Sequence, residues 1–337
     1  MLCYQLKKTG DIDCLEVVQL PVPRPAAKQV LVKMTAASLN YRDLLTLRGS
    51  YGSWQKLPLV PLSDGAGIVE EIGNEVTQFK RGDRVLNAFL PHWLEGEATE
   101  LRLAGSYGGL VDGVLAEYCL FPEHALVKAP ASLSDPAAAT LACAGVTAWS
   151  AVVKCGGLKP GDTVLTLGSG GVSLFALQFA KLAGARVIAT SSDDEKLERL
   201  KSLGADGLIN YNTTPKWGNQ ARALNGGRGL DLVVEVGGAG TLNESIRAAR
   251  AGGTIAMIGV VAPSSGELRL PLVAMQQQRI QGIACGSIAD LSAMVTAIAL
   301  HGVQPVIDQV FPFAQARDAF ARLASGKHFG KVVIAIS

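Results

Sequence analysis

The sequence has no Cys-x-x-Cys pair. Its six cysteines (Cys3, Cys14, Cys119, Cys143, Cys155 and Cys285) stand singly. That excludes zinc-ribbon and thioredoxin-type motifs and points to a reducing compartment. An excess of one charge is also missing: 31 Lys and Arg balance 29 Asp and Glu, for a net charge of +2. Without a strong field, neither nucleic acid nor a membrane surface is expected as a partner. No apolar run approaches the roughly 18 residues of a membrane span. Residues Met1 to Gly10 alternate polar and apolar and lack the apolar core of a signal peptide. The expectation is a soluble, cytoplasmic protein. Charged residues are only 18% and hydrophobic ones 48% of 337, too apolar for disorder and long enough for two domains.

What is present changes texture near residue 125. Before it, short strand-like runs (Val30 to Met34, Gly67 to Ile72, Arg84 to Phe89, Ala116 to Phe121) alternate with Gly, Pro and Asp. They read as an irregular β domain, with Gly65, Gly67, Gly73 and Gly82 at turns and bulges. After it, strands and helices alternate. Asp135-Pro136 reads as a helix start with a capping carboxylate. Apolar strands follow at Thr163 to Leu167, Arg186 to Thr190, Leu208 to Tyr211, Leu230 to Val236, Gly253 to Gly259 and Arg279 to Cys285. Leu174 to Leu182 and Asp194 to Leu203 read as helices between them. Strands this apolar, spaced by helices, predict a doubly wound parallel sheet. Leu291 to Leu300 reads as a helix and Lys331 to Ile336 as a closing strand. The fold class is α/β.

Between the first apolar strand and its helix stands Gly168-Ser-Gly170-Gly171-Val172-Ser173. Gly168 permits a tight turn. Gly170 lets backbone N–H groups approach a pyrophosphate at a helix N-terminus. Ser173 replaces the third glycine of the fingerprint, so helix–strand packing must absorb a side chain. The next strand begins about 20 residues on, the spacing of a dinucleotide site. Its tip is Ser191-Ser192, whereas binding of an NAD ribose hydroxyl calls for an acidic residue there. Neutral hydroxyls with Lys196 one turn on would suit a 2′-phosphate, so NADPH is favoured over NADH. Asp193 and Asp194 would oppose this unless they cap the next helix.

These motifs together resemble the medium-chain dehydrogenase/reductase superfamily, and most closely its zinc-independent quinone oxidoreductase-like branch. The resemblance rests on Ser38-Leu-Asn-Tyr-Arg-Asp43 with Arg48-Gly-Ser-Tyr51, and on Asp64-Gly-Ala-Gly-Ile-Val-Glu-Glu-Ile-Gly73. Gly82-Asp-Arg-Val85, Cys143-Ala-Gly-Val-Thr-Ala-Trp149, Gly168 to Ser173, Gly204-Ala-Asp, Ile209-Asn-Tyr211 and Gly330-Lys-Val-Val333 complete it. It implies a GroES-like catalytic domain at residues 1–125 and 288–337, with a Rossmann cofactor-binding domain at 126–287. It places Gly168, Gly170, Gly171 and Val172 at the pyrophosphate, and Ser191, Ser192, Lys196 and Tyr211 at the adenosine end. Thr147, Gly259, Val260 and Cys285 would lie near the nicotinamide and its ribose, and Lys331 would approach the cofactor. Tyr211 equally suits strand-end packing, and Cys285 a small buried core residue. Homodimerisation is also implied, with Glu267 to Leu270 as candidate edge strand.

Zinc-dependent members of that superfamily hold a catalytic metal with Cys, His and a second Cys or Asp. The matching positions here are Asn40, Ser63 and Cys143. No cysteine lies between Val85 and Glu117, where zinc relatives carry a structural lobe. The four histidines (His92, His124, His301, His328) form no paired motif. No metal site is therefore expected. Without a Lewis acid, hydride transfer remains feasible to quinones and α,β-unsaturated carbonyls, whose anionic products need only hydrogen bonds. Asn40 and Tyr51 are the candidate catalytic donors, Asn40 also facing the cofactor. The expected function is NADPH-dependent reduction of a small electron-poor acceptor. A zinc-free alcohol or aldehyde dehydrogenase, or a non-catalytic NADPH-binding protein, are the alternatives.

Overall fold

The structure, a computed structural model, describes residues 1–51, 56–259 and 265–336. The chain forms two compact units, Met1–Val146 with Cys285–Ser337, and Thr147–Ala284. The first contributes β1 (Leu2–Leu6), β2 (Leu15–Gln19), β3 (Gln29–Ser38), β4 (Asp64–Ile72), β5 (Arg84–Asn87), β6 (Tyr118–Pro122) and β7 (Leu126–Lys128). The second holds β8 (Thr163–Leu167), β9 (Arg186–Ser191), β10 (Gly207–Asn210), β11 (Leu230–Glu235), β12 (Ala249–Met257) and β13 (Arg279–Gly282). The chain then returns to the first unit for β14 (Ile307–Pro312) and β15 (Lys331–Ala335).

In the first unit a seven-stranded sheet runs β14-β15-β3-β4-β5-β7, with β6 also paired to β3; β1 and β2 form a separate hairpin. Gly67 makes the close pairing of β3 with β4 possible, because a Cβ there would sit 2.3 Å from the Lys33 carbonyl oxygen. Val32, Met34, Val69, Val85, Phe121, Val332 and Ile334 fill the core with Phe320 from the helix Ala316–Ala324.

The second unit is a six-stranded parallel sheet in the order β10-β9-β8-β11-β12-β13. This is the doubly wound dinucleotide-binding topology, whose order reverses beside the first strand. Every residue of β8 and of β11 is buried, as expected for central parallel strands. The loop after β8 therefore opens at the topological switch point.

Several local expectations need correction. The helix Asp135–Ala138 is capped by Ser134, whose side chain accepts from Ala137 N–H, rather than by Asp135. The Asp135 carboxylate instead takes two bonds from Arg84, at 3.0 and 2.5 Å. The helical run Asp135–Cys155 spans 21 residues with mean hydropathy 1.5, so a segment of membrane-spanning length and composition does exist. Interspersed Thr, Gly and Ser hide it as a continuous run. Of its apolar window, 78% is buried within the fold, which makes it a core helix. Its first half packs on β3 and β4 and its second half on β11 and β12. The joins between the units accordingly fall at Val146 and Cys285, where the sequence reading drew them at 125 and 288. Glu267 to Leu270 is not a strand; Leu270 opens the helix Leu270–Met275, and the sheet edge is β13.

Candidate functional site

Two groups of predicted residues form, one in each unit. In the second unit, β8 ends at Leu167 and the helix Gly171–Leu182 starts with Gly170 as its N-cap. Gly168 has φ +73°, a conformation that favours glycine. A Cβ at Gly168 or Gly170 would meet nothing within 4 Å, so the space that a phosphate needs is there. Ser173, in the third-glycine position, is buried, and its Oγ donates to the Leu167 carbonyl at 2.6 Å. A polar side chain is thus absorbed at the helix–strand contact by a hydrogen bond across the turn.

Ser191 is buried at the tip of β9, and its Oγ accepts from Asp193 N–H at 3.3 Å. The adjacent acids are committed. Asp193 caps the helix Asp194–Ser202 by accepting from Lys196 N–H at 3.1 Å, and Asp194 accepts from Asn210 Nδ2 at 2.7 Å. Ser192 is exposed, and Tyr211 is 39% exposed with its N–H on the Ser191 carbonyl. Thr147 is buried, and its Oγ1 has no hydrogen-bond partner among the described residues. An orphaned hydroxyl of this kind fits a ribose or amide group of a cofactor. Gly259 follows β12, with no room for a Cβ against the Val236 carbonyl. Val260 lies outside the described residues. These features fit a dinucleotide: Gly168 to Val172 would hold its pyrophosphate and Thr147 a polar group of its other half.

Sequence reasoning missed Glu235, which is fully buried at the end of β11. Its carboxylate accepts from the Gly237 and Gly238 N–H groups, from Thr241 Oγ1 and from Ser245 Oγ. Its own carbonyl accepts from Ile258 and Gly259 N–H. Glu235 therefore fixes the turns after β11 and β12. A lone acid ending an apolar strand before two glycines was the available signal.

In the first unit, Asn40 precedes the helix Tyr41–Leu47 as its N-cap. Its N–H donates to Asp43 Oδ2 at 2.7 Å. Asp43 thus caps the helix, and its charge partner is Arg42 at 3.2 Å. Burial pushes the Asp43 carboxyl up to about 6, although Arg42 and the Asn40 N–H oppose the rise. Asn40 itself is 8% exposed. Its Oδ1 accepts from Lys331 Nζ at 2.6 Å, and its Nδ2 donates to Ser63 Oγ at 3.4 Å. Lys331 Nζ also donates to the Leu39 carbonyl at 2.5 Å. Ser63 Oγ donates to Asp64 Oδ1 at 2.6 Å, and Asp64 Oδ2 accepts from Cys143 N–H at 3.1 Å. Burial raises the Asp64 carboxyl, against the pull of Lys331 and these donors.

Tyr51 is 37% exposed and lies over the Arg42 guanidinium, with Arg42 Cζ 4.4 Å from the ring centroid. Burial raises the phenol, and Arg42 partly offsets this, so Tyr51 is a neutral donor at physiological pH. Arg42 also donates to the Tyr107 and Gly108 carbonyls at 2.8 and 2.9 Å and to Ser106 Oγ at 3.1 Å. The far end of the segment 92–107 is thereby tied to the helix that Asn40 caps. Its near end is held by Ile288 and Ala289 N–H groups on the Trp93 and Leu94 carbonyls. Cys285 is buried in this unit, its Sγ 3.7 Å from the Ala142 carbonyl. A contact with Cys285, then burial, holds the Cys143 thiol well above its ordinary value.

A zinc ion does not fit this donor set. The Asn40 amide oxygen already accepts an ammonium, and both Asp64 oxygens are occupied by donors. Among the described residues no group of three or more His, Cys, Asp or Glu side chains could hold a metal ion.

Residues 26–131 match the alcohol dehydrogenase GroES-like domain, and residues 171–299 match the zinc-binding dehydrogenase family. A zinc-type alcohol dehydrogenase-like protein of Schizosaccharomyces pombe is 46% identical over 314 residues, 91% of each chain. An acryloyl-coenzyme A reductase of Sulfurisphaera tokodaii is 28% identical, covering 94% of this chain and 95% of its own. A Sinorhizobium meliloti 1021 chain of known structure is 40% identical, with TM-score 0.94 over 99% of this chain and 98% of that one. The crystal structure of an NAD-dependent alcohol dehydrogenase gives TM-score 0.92 at 36% identity, with both chains covered in full. The chain is an oxidoreductase that belongs to the medium-chain dehydrogenase/reductase family.

Proposed function

We propose that the protein reduces quinones or α,β-unsaturated carbonyl compounds with NADPH and without zinc. The observation that carries this is the side-chain network of Lys331, Asn40, Ser63 and Asp64, in which Asn40 and Ser63 are two of the three residues that the resemblance matches to metal ligands. An alcohol or simple carbonyl needs a Lewis acid to polarise its oxygen. An electron-poor acceptor needs only donors for the oxygen on which charge develops. Asn40 offers an amide N–H and Tyr51 a neutral phenol. A bound reduced nicotinamide nucleotide supplies the hydride. Tyr51 or water then returns a proton to the anion, and burial keeps the phenol protonated until that step. The acryloyl-coenzyme A reductase relative carries a name of this chemistry.

NADPH is supported by the neutral Ser191-Ser192 tip and by the commitment of Asp193 and Asp194 elsewhere. The exposed side chains Leu270, Met275 and Met257 beside the edge strand β13 support a homodimer formed through that edge. Six free thiols support a reducing, cytoplasmic location. The relatives named alcohol dehydrogenases favour a second reading, reversible alcohol oxidation. A panel of quinones, enones, aldehydes and alcohols, run with both nucleotides and with zinc quantified in the purified protein, decides between them. Turnover of enones or quinones with NADPH at less than one zinc in about ten chains supports the proposal. Chelator-sensitive alcohol oxidation at stoichiometric zinc overturns it.

A further inference from the structure

The hydrogen bonds at Asn40 have only one consistent sense. Lys331 Nζ is a donor with no acceptor capacity, so the atom 2.6 Å away must be the amide oxygen of Asn40. A flipped amide would set NH₂ against NH₃⁺. At the other end, Asp64 Oδ2 receives the Cys143 N–H, and Oδ1 lies 2.6 Å from Ser63 Oγ. The one Ser63 proton goes to that carboxylate, leaving a lone pair for Asn40 Nδ2 at 3.4 Å. A directed chain thus runs from a buried ammonium to a buried carboxylate, through an amide and a hydroxyl. Lys331 is 3% exposed and Asp64 and Ser63 are fully buried, so water does not compete with this order. Asn40 Nδ2 carries two hydrogens, and the bond to Ser63 Oγ takes one of them.

We propose that Lys331 is a positioning residue for Asn40, holding the amide oxygen inward so that the second Nδ2–H is the group presented to the acceptor oxygen. The inference rests on the donor role given to Asn40 above and assigns the group that enforces it. The resemblance instead placed Lys331 at the cofactor, and the two roles make different predictions. Four variants are compared at saturating NADPH on an enone: Asn40→Ala, Lys331→Met, the double variant, and Asn40→Asp. Cofactor Kd comes from fluorescence titration and folding from Tm.

The expected result is a fall in kcat of roughly tenfold or more in both single variants. The double variant should be no slower than Asn40→Ala alone, because both lose one shared interaction. Cofactor Kd should stay within about threefold, since no phosphate contact is lost. Asn40→Asp keeps an acceptor for Lys331 and lacks the donor, so it should be as slow as Asn40→Ala while folding normally. It is the deciding variant if Lys331→Met does not fold. Wild-type kcat in Lys331→Met with Kd raised about tenfold would mark a cofactor contact and overturn the proposal. Additive losses in the double variant, or wild-type turnover in Asn40→Asp, would also overturn it. Asn40→Ala within about twofold of wild type would instead sink the donor role itself, a separate result.

Discussion

Around Asn40, polar side chains answer one another: Lys331 meets Asn40, Asn40 meets Ser63, and Ser63 meets Asp64. Around Gly170, by contrast, a Cβ would meet nothing within 4 Å, and the turn after β8 is built from backbone and space. The first region is finished before any ligand arrives. The second has room that a ligand must fill. A site assembled from committed side chains contributes orientation. A glycine turn at a helix N-terminus contributes affinity for an anion. Substitutions in the two regions should therefore alter different constants.

The sharpest break comes from donor removal in the first region. Asn40→Ala should lower kcat on enones by roughly tenfold to a thousandfold, with NADPH affinity nearly unchanged. Tyr51→Phe should lie at the lower end of that range and lose less on strongly activated quinones, which need less oxyanion stabilisation. Steady-state kinetics on a matched quinone and enone, with cofactor titration, checks both. A Tyr51→Phe enzyme within about twofold of wild type on enones would make the tyrosine a wall and water the proton source.

In the second region the effect should appear in nucleotide choice. If NADPH binds as proposed, Ser191→Asp would place a carboxylate beside the adenosine 2′ position. It should move kcat/KM toward NADH by about ten- to hundredfold. A wild type that already prefers NADH would contradict the reading of Ser191. Gly170→Ala isolates the cradle itself. Gly170 has φ −78° and an open Cβ direction, so Tm should hold while cofactor Kd rises about tenfold. Gly67→Ala is the opposite control, because its Cβ would strike the Lys33 carbonyl at 2.3 Å. It should cost on the order of a few kcal/mol of stability. Equal Tm losses in the two would erase the contrast.

The smallest effect is a pH dependence of stability. The folded-state Asp43 carboxyl stands at about 6, above the ordinary carboxylate value, because burial penalises its charge. The native state then binds the proton more tightly than the unfolded state. Its contribution is fully present below about pH 4 and is lost as pH rises through about 6. Differential scanning of wild type and Asp43→Asn across pH 4 to 7 should show the wild type losing Tm relative to the variant. A constant difference would mean that Asp43 titrates alike in both states.

The two regions also differed in how far they could be read from the chain. Gly168 to Ser173 is contiguous, and its meaning follows from a strand before it and a helix after it, so the pattern is local. The central parallel strands β8 and β11 were legible for the same reason, their apolar runs being buried on both faces. The cluster at Asn40 draws on residues 291 positions apart in the pair Lys331–Asn40, and no sequence period encodes such a contact. Resemblance pointed to Asn40 and Tyr51, but not to the order of the hydrogen bonds or to Arg42 beneath Tyr51. The start of the Asp135–Cys155 helix is legible at Asp135-Pro136, but its length is not, because small polar residues interrupt the run while its average remains apolar. Arg279 to Cys285 is legible as a strand, but its place at the sheet edge is not, because only the fold shows that Arg279–Gly282 has a single partly buried residue and one strand neighbour.

The last strand of the chain, β15, lies inside the first sheet, parallel to β14 and antiparallel to β3. During translation, residues 147–284 can collapse into their own parallel sheet while the earlier segment still lacks a central strand. The ribosome adds residues at about 5–20 per second, so the segment made first waits many seconds for its last partner. Lys331 is the first residue of that strand. The charge that orients Asn40 thus arrives with the strand that closes the sheet. A nascent chain stalled before residue 331 would hold residues 147–284 in full and still lack the lysine that bonds Asn40.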